Sequence, residues 1–226
     1  MEDKMMNNEA ADLKRLEDGF YRGYQVDIDH GNLSLAALEI LSRAYQNALM
    51  RFNHSYVFRF RLRIPKKQNQ QEKTLINQWF YRLCHYRKDD NLNVIWKREV
   101  SQTGCISYRM TLFLDASSYP PFVNEFKLRK RLTKDTRNSW AKTTGIHKHD
   151  SNKLCLFLNQ PLVELNKEHD DYRYQRGLLF YVLSRQARVN TTTHDEKNTL
   201  GSFISKSKKA KKKADYTNTK ESCDGQ

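Results

Sequence analysis

A chain of 226 residues that is 38% apolar and 12% aromatic can bury one sizeable core and still leave loose ends. Its 40 Lys and Arg stand against 26 Asp and Glu, a net charge of +14, which makes a polyanion the expected partner. Neither an apolar run of about 18 residues nor a basic amphipathic anchor is present, so a membrane is excluded as partner and nucleic acid is favoured.

The opening MEDKMMNNEAADLKR is acidic and polar, unlike a secretory signal, and a cytoplasmic location is expected. Cys84, Cys105, Cys155 and Cys223 are far apart with no CxxC, so neither a disulfide framework nor a zinc knuckle is expected. The first three read as small core residues among apolar neighbours.

Residues 1–25 carry little periodic apolar signal and read as a loosely ordered arm. Asn32-Leu-Ser34 then opens a helix whose Leu35, Leu38, Leu41, Tyr45, Leu49 and Phe52 recur at three- and four-residue steps. A strand follows over 56–64, closed by Pro65 and a polar KKQNQQEK loop. In it Phe58, Phe60, Leu62 and Ile64 alternate with Arg59, Arg61 and Arg63. A second helix runs from Thr74 to Tyr86 through Leu75, Ile76, Trp79, Phe80 and Leu83.

Two extended runs, Leu92–Val100 and Ile106–Leu114, are joined by Ser101-Gln-Thr-Gly104 and predict a hairpin. In its second arm Tyr108, Met110, Leu112 and Leu114 share one face, and Ser107, Arg109, Thr111 and Phe113 the other. After Pro120 and Pro121, KLRKRLTKDTR predicts a helix with a basic outer face carrying Lys127, Arg129, Lys130 and Arg131. Leu154–Leu158 is a further strand, and GLLFYVLSRQAR, Gly177–Arg188, a further helix. From Thr191 the apolar periodicity ends, and the lysine run that includes Lys208, Lys209, Lys211, Lys212 and Lys213 predicts a disordered, phosphate-seeking tail.

The order α, β, α, ββ, α, β, α describes a single α+β domain over residues 26–190, with a mainly antiparallel sheet, helices packed on one side and flexible arms over 1–25 and 191–226. Three like charges adjacent on one sheet face repel unless an anion sits over them. Arg59, Arg61, Arg63 and Arg109 therefore read as phosphate contacts. Glu99 is placed to pair with Arg109 or Lys97 across the hairpin. Tyr172 and Tyr174, with Arg173 and Arg176, can stack the bases of a single strand. His147 and His149 have ligand-like spacing for a strand, but Lys148 between them and the turn Asp150-Ser-Asn after them mark solvated loop histidines.

The strand FRFRLRIP, the run WKRE, the strand SYRMTLFLD, FYVLSR and the later LGSF resemble the YagK/YfjJ family of prophage proteins, related to the gene-two replication initiators of filamentous phages. The resemblance implies a His-hydrophobe-His nuclease fold, in which two imidazoles hold a divalent metal and a helix tyrosine attacks the scissile phosphate. By that resemblance Tyr181 stands at the nucleophile position and Arg185 at the position of the family's lysine. The metal-binding histidines, however, are replaced by Ser107 and Arg109. A serine hydroxyl is a weak neutral ligand and a guanidinium repels a cation, whereas an arginine there can neutralise phosphate without a metal.

The expected function is that of a nucleic-acid-binding protein of a prophage or other mobile element, acting on single- or double-stranded DNA in replication or regulation, with no cofactor. One alternative is a DNA nickase using Tyr181, which alone would need Mg²⁺ or Mn²⁺. Another is a regulatory or host-interaction protein whose basic surface meets RNA or an acidic partner.

Overall fold

The computed structural model describes residues 16–87, 91–120, 124–147, 149–189 and 199–205. A small hairpin of β1 (Phe20–Tyr21) and β2 (Tyr24–Gln25) opens it, turned by Arg22 and Gly23 at φ of 49° and 80°. Helix α1 (Leu35–Arg51) follows, its N-cap Ser34 accepting from the Ala37 N–H at 3.3 Å. The predicted apolar stripe Leu38, Leu41, Tyr45 and Leu49 is buried along it. Strand β3 (His54–Arg63) leads through a 3₁₀ turn, Lys66–Gln71, into α2 (Glu72–Tyr86).

The predicted hairpin is β4 (Leu92–Val100) and β5 (Ile106–Asp115), its turn closed by Ser101 and Cys105 with Gly104 left-handed at φ 71°. Cys105 therefore sits in a turn rather than in the core, while Cys155 is buried. Helix α3 (Glu125–Thr144) is capped by Asn124, which accepts from the Lys127 N–H at 3.0 Å, and ends at left-handed Gly145. A short α4 (Ser151–Leu154) precedes β6 (Cys155–Asn166), and α5 (Tyr172–Ser184) precedes β7 (Leu200–Ile204). The five long strands form one antiparallel sheet in the order β6-β3-β5-β4-β7.

The sheet is α+β and antiparallel as expected, but helices cover both of its faces, not one. Phe58, Phe60 and Leu62 of β3 pack on one side with Trp79 of α2 and with Leu132 and Trp140 of α3. On the other side Val57, Ile95, Phe113 and Leu165 pack with Leu38, Leu41 and Tyr45 of α1 and Leu179 and Phe180 of α5. The physical reason is a break in the alternation. Val57 and Phe113 lie opposite each other on the face that also carries Arg61 opposite Arg109, so this face is apolar at one end and cationic at the other.

Two boundaries also move. Tyr21, Tyr24 and Val26 are buried against α1 and α5, so residues 16–25 are docked chain and not part of a loose arm. Leu200–Ile204 pairs with β4 as the fifth strand, inside the stretch that reads from sequence as a tail.

Phe113 is fully buried on the second face. Phe113→Ala is expected to cost about 3–5 kcal/mol in urea unfolding; a loss below about 1 kcal/mol would mean that α1 and α5 do not cover that face.

Candidate nucleic-acid interface

On the second sheet face Arg61 of β3, Arg109 of β5 and Lys97 of β4 lie abreast, and Arg63, Ser107 and Glu99 form the next row. The Glu99 carboxylate approaches Arg109 Nε at 2.7 Å and Arg61 Nη2 at 3.3 Å, so one anion bridges two guanidiniums. Lys97 is instead buried and donates from Nζ to the Arg188 carbonyl at 3.0 Å. Arg59 stands one row nearer the apolar end, opposite Thr111.

The end of α5 and the 3₁₀ turn Arg185–Ala187 close over these rows. Arg59, Arg61, Arg109 and Arg185 converge on a cavity of about 350 Å³, completed by Thr111, Gln186, Val182 and the edge residues Leu156, Phe157 and Leu158. Gln186 Nε2 donates to Thr111 Oγ1 at 3.4 Å, tying the turn to the sheet.

What fixes the turn is Asp27, whose side chain is wholly buried. Its carboxylate accepts from Arg185 Nε, lies 3.0 Å from Arg188 Nη2 and bonds His30 Nδ1 at 2.8 Å. Its backbone N–H donates to Ser184 Oγ at 2.9 Å, and Ser184 Oγ in turn donates to the Tyr181 carbonyl at 2.6 Å. Burial opposes ionisation of Asp27, but the hydrogen bonds from His30 and Arg185 and the charges of Arg185 and Arg188 outweigh it and hold the carboxyl below its ordinary value.

The charge on this face is lopsided. Arg59, Arg61, Arg63, Lys97, Arg109, Arg185 and Arg188 face two carboxylates, Glu99 and Asp27, each already shared between arginines. Among the described residues no carboxylate lies within ion-pair distance of Arg59 or Arg63. Burial, and secondarily the charge of Arg185, make the Arg59 guanidinium easier to deprotonate than usual. Burial does the same to Arg61, aided by Arg109 and Arg63 and opposed by Glu99. Both directions express burial of a cation with like charges nearby.

The other sequence-predicted residues fall elsewhere. Tyr181 is half-buried outside the cavity lining, with the Arg185 guanidinium 5.8 Å from its ring centroid. Tyr172 and Tyr174 belong to the first turn of α5, about 16–20 Å along the axis from Arg185. Tyr172 packs against the second core beneath Arg176, while Tyr174 is exposed, so the two do not form one stacking platform. Lys127, Arg129, Lys130 and Arg131 lie on α3, whose buried residues pack on the other sheet face. Arg129 and Lys130 share a groove with Lys134 and Arg137, while Arg131 lines another with Arg82 and Lys142. Lys208, Lys209, Lys211, Lys212 and Lys213 lie outside the described residues.

Asp27, His30, Gln186 and Arg188 escaped the sequence reading. Asp27 has no periodic signal around it; only the buried Tyr24 and Val26 upstream tell that its segment is docked.

A divalent metal does not fit the position that the nuclease resemblance assigns to it. Ser107 and Arg109 stand there, and the nearest carboxylate, Glu99, is committed to two guanidiniums. Among the described residues no cluster of three or more His, Cys, Asp or Glu side chains could hold a metal ion.

Fold and site together define an α+β protein whose antiparallel sheet carries an arginine-lined, carboxylate-poor pocket at one end. The family model of the YagK/YfjJ C-terminal domain matches residues 16–203, and the chain belongs to that family. This membership points to a prophage-associated protein. No curated protein and no solved structure matches the chain. Among the described residues no helix is long and apolar enough to cross a membrane.

Because Asp27 titrates below its ordinary value of 3.8 in the folded chain, its contribution is complete above that pH and is lost as the pH falls further, through the folded value. Asp27→Asn is expected to lower stability at pH 7 by about 1–3 kcal/mol. The gap from the parent protein should narrow in urea titrations below about pH 4. A gap independent of pH would show that the charge of Asp27 is not what holds the turn.

Proposed function

We propose that the chain is a DNA-binding protein of a prophage or other mobile element, acting in its replication or regulation. It grips phosphates through Arg59, Arg61, Arg63, Arg109 and Arg185 at the cationic end of the sheet. The observation that carries the reading is the cavity walled by four arginines, one of them, Arg59, without an anionic partner among the described residues. A planar guanidinium meets a phosphate with two parallel N–H donors. Each phosphate contact also releases condensed counterions, which makes the affinity fall with salt. A phosphate over this face relieves the mutual repulsion of Arg59, Arg61, Arg109 and Arg185 that folding leaves in place.

Arg59, Arg61 and Arg63 changed together to Ser are expected to weaken DNA binding and to reduce the slope of log affinity against log salt. The reduction is about 0.9 per lost contact on duplex and about 0.7 on single strands. An unchanged slope removes the sheet face from the reading. Competition by duplex DNA, single-stranded DNA, RNA and heparin at matched salt separates DNA recognition from general polyanion attraction; displacement by heparin alone, with no preference among the nucleic acids, overturns it.

Glu99 gives a sharper test, since it occupies two of the phosphate-facing guanidiniums. Glu99→Gln is expected to tighten DNA binding and steepen the salt slope by up to about one contact. A nickase that used Glu99 to hold a metal would lose activity instead. With Mg²⁺ or Mn²⁺ and supercoiled or single-stranded DNA, no protein-linked 5′ end is expected. An adduct that vanishes in Tyr181→Phe would establish the enzyme in place of the binding protein.

A further inference from the structure

The basic run of α3 and the sheet cavity are joined by one cation–ring contact. Arg129, Lys130, Lys134 and Arg137 line one groove of about 780 Å³ along α3, and among the described residues no carboxylate lines it. These positions, with Phe126, recur at three- and four-residue steps and so share one helical face. Phe126 is 63% exposed at the start of that face, and the Arg129 guanidinium lies 5.7 Å from its ring centroid. At the far end Arg137 holds its guanidinium 5.2 Å from the ring of Phe157, and Phe157 also lines the arginine cavity.

β6 is the edge strand between the two regions. Its register against β3 is broken between Phe58 and Phe60: Phe58 pairs with Leu162 and Phe60 with Phe157, so the four residues 158–161 stand against Arg59 alone, three more than a regular ladder holds. A bulge of this kind bends an edge and re-aims its side chains, and Leu158 from it is exposed at the rim of the cavity.

From these contacts we infer that the α3 groove is a second polynucleotide site, continuous with the sheet cavity around the β6 edge, and that the strand running between them is single-stranded. The inference rests on the phosphate-binding reading of the cavity. The two regions lie toward opposite faces of one sheet, so the ligand turns over the width of a single strand. Duplex DNA, with a persistence length of about 150 bp, resists such a turn, while a single strand follows it readily. Phosphates then lie along Arg129, Lys130, Lys134 and Arg137, and a base stacks on Phe126, since aromatic faces accept any base.

The test measures fluorescence anisotropy of labelled oligothymidylates of about 6 and about 30 nucleotides, at the short end and beyond ordinary single-strand site sizes, and of a duplex of the longer length. Two variants are compared with the parent chain after circular dichroism has confirmed their fold: Arg129→Gln/Lys130→Gln/Lys134→Gln, whose helix propensity is kept, and Arg59→Ser/Arg61→Ser/Arg63→Ser. The α3 variant is expected to bind the short strand within about twofold of the parent. It should lose about tenfold or more on the long strand, with a salt slope lower by about 2. Phe126→Ala should weaken the long strand with little change in slope, because it removes a stacking face and no charge.

Unchanged long-strand affinity in the α3 variant, with the sheet variant still impaired, overturns the second site and leaves the function standing. Equal losses on the two lengths overturn the continuity, and a duplex loss as large as that of the long strand overturns the single-strand assignment. If neither variant changes binding, the phosphate reading of the cavity falls as well.

Discussion

One step of two residues along β3 leads from Val57, sealed beneath α1 and α5, to Arg59, which opens onto the cavity. Along one sheet face the chain thus changes within one pleat repeat from core to cation, and everything about the site follows from that change. The apolar end supplies the adhesion: Val57, Phe113 and Ile95 bury against Tyr45 and Phe180, whose ring centroids lie 5.3 Å apart. The cationic end cannot be closed in the same way, because a guanidinium taken fully from water without a partner costs more than the packing returns. Helix α5 therefore ends at Ser184, and the chain turns away over Arg185–Ala187 instead of continuing across the arginines.

Asp27 makes that ending specific. It reaches the turn from the segment after β2, far away in sequence, and neutralises Arg185 and Arg188 from within the protein. Its burial is tolerated because three donors surround it, and its position leaves Arg185 only partly satisfied, with its side chain 40% exposed. The same residue thus anchors the amino-terminal hairpin, sets the end of α5 and orients one wall of the cavity. Glu99 acts similarly for Arg61 and Arg109, so the two carboxylates on this face organise the cations without cancelling them.

How much of this was legible depended on whether the signal was local. The β4–β5 hairpin could be read almost to the residue, since alternation and the Gly104 turn both act over short range. The face shared by Arg59, Arg61 and Arg63 followed from the two-residue period alone. The second half of β6 was hidden because its extra residues and the buried Pro161 interrupt the alternation, a pattern that a sequence reader takes as a strand end. β7 was hidden because a five-residue edge strand owes its conformation to its partner β4. The helical state of Tyr172–Arg176 was masked by Gly177, which stands inside α5 rather than before it. The second covered face was in fact visible in Val57 and Phe113, which break an otherwise polar register, but one apolar residue per strand is a weak sign. Asp27 left no sign at all, since its role is defined by residues more than 150 positions away.

The described lining of the cavity is rich in donors and apolar groups. Hydrolysis or strand transfer at a phosphodiester requires a group that accepts a proton or a Lewis acid that activates an oxygen. Arg59, Arg61, Arg109 and Arg185 are hydrogen-bond donors, Thr111 and Gln186 are neutral, and the remaining described lining residues are apolar. Glu99, beside Arg109 and Arg61, is already engaged by both guanidiniums. On the proposed reading, such a wall offers a phosphate fixed positive charge in a partly dry setting, with directed N–H bonds.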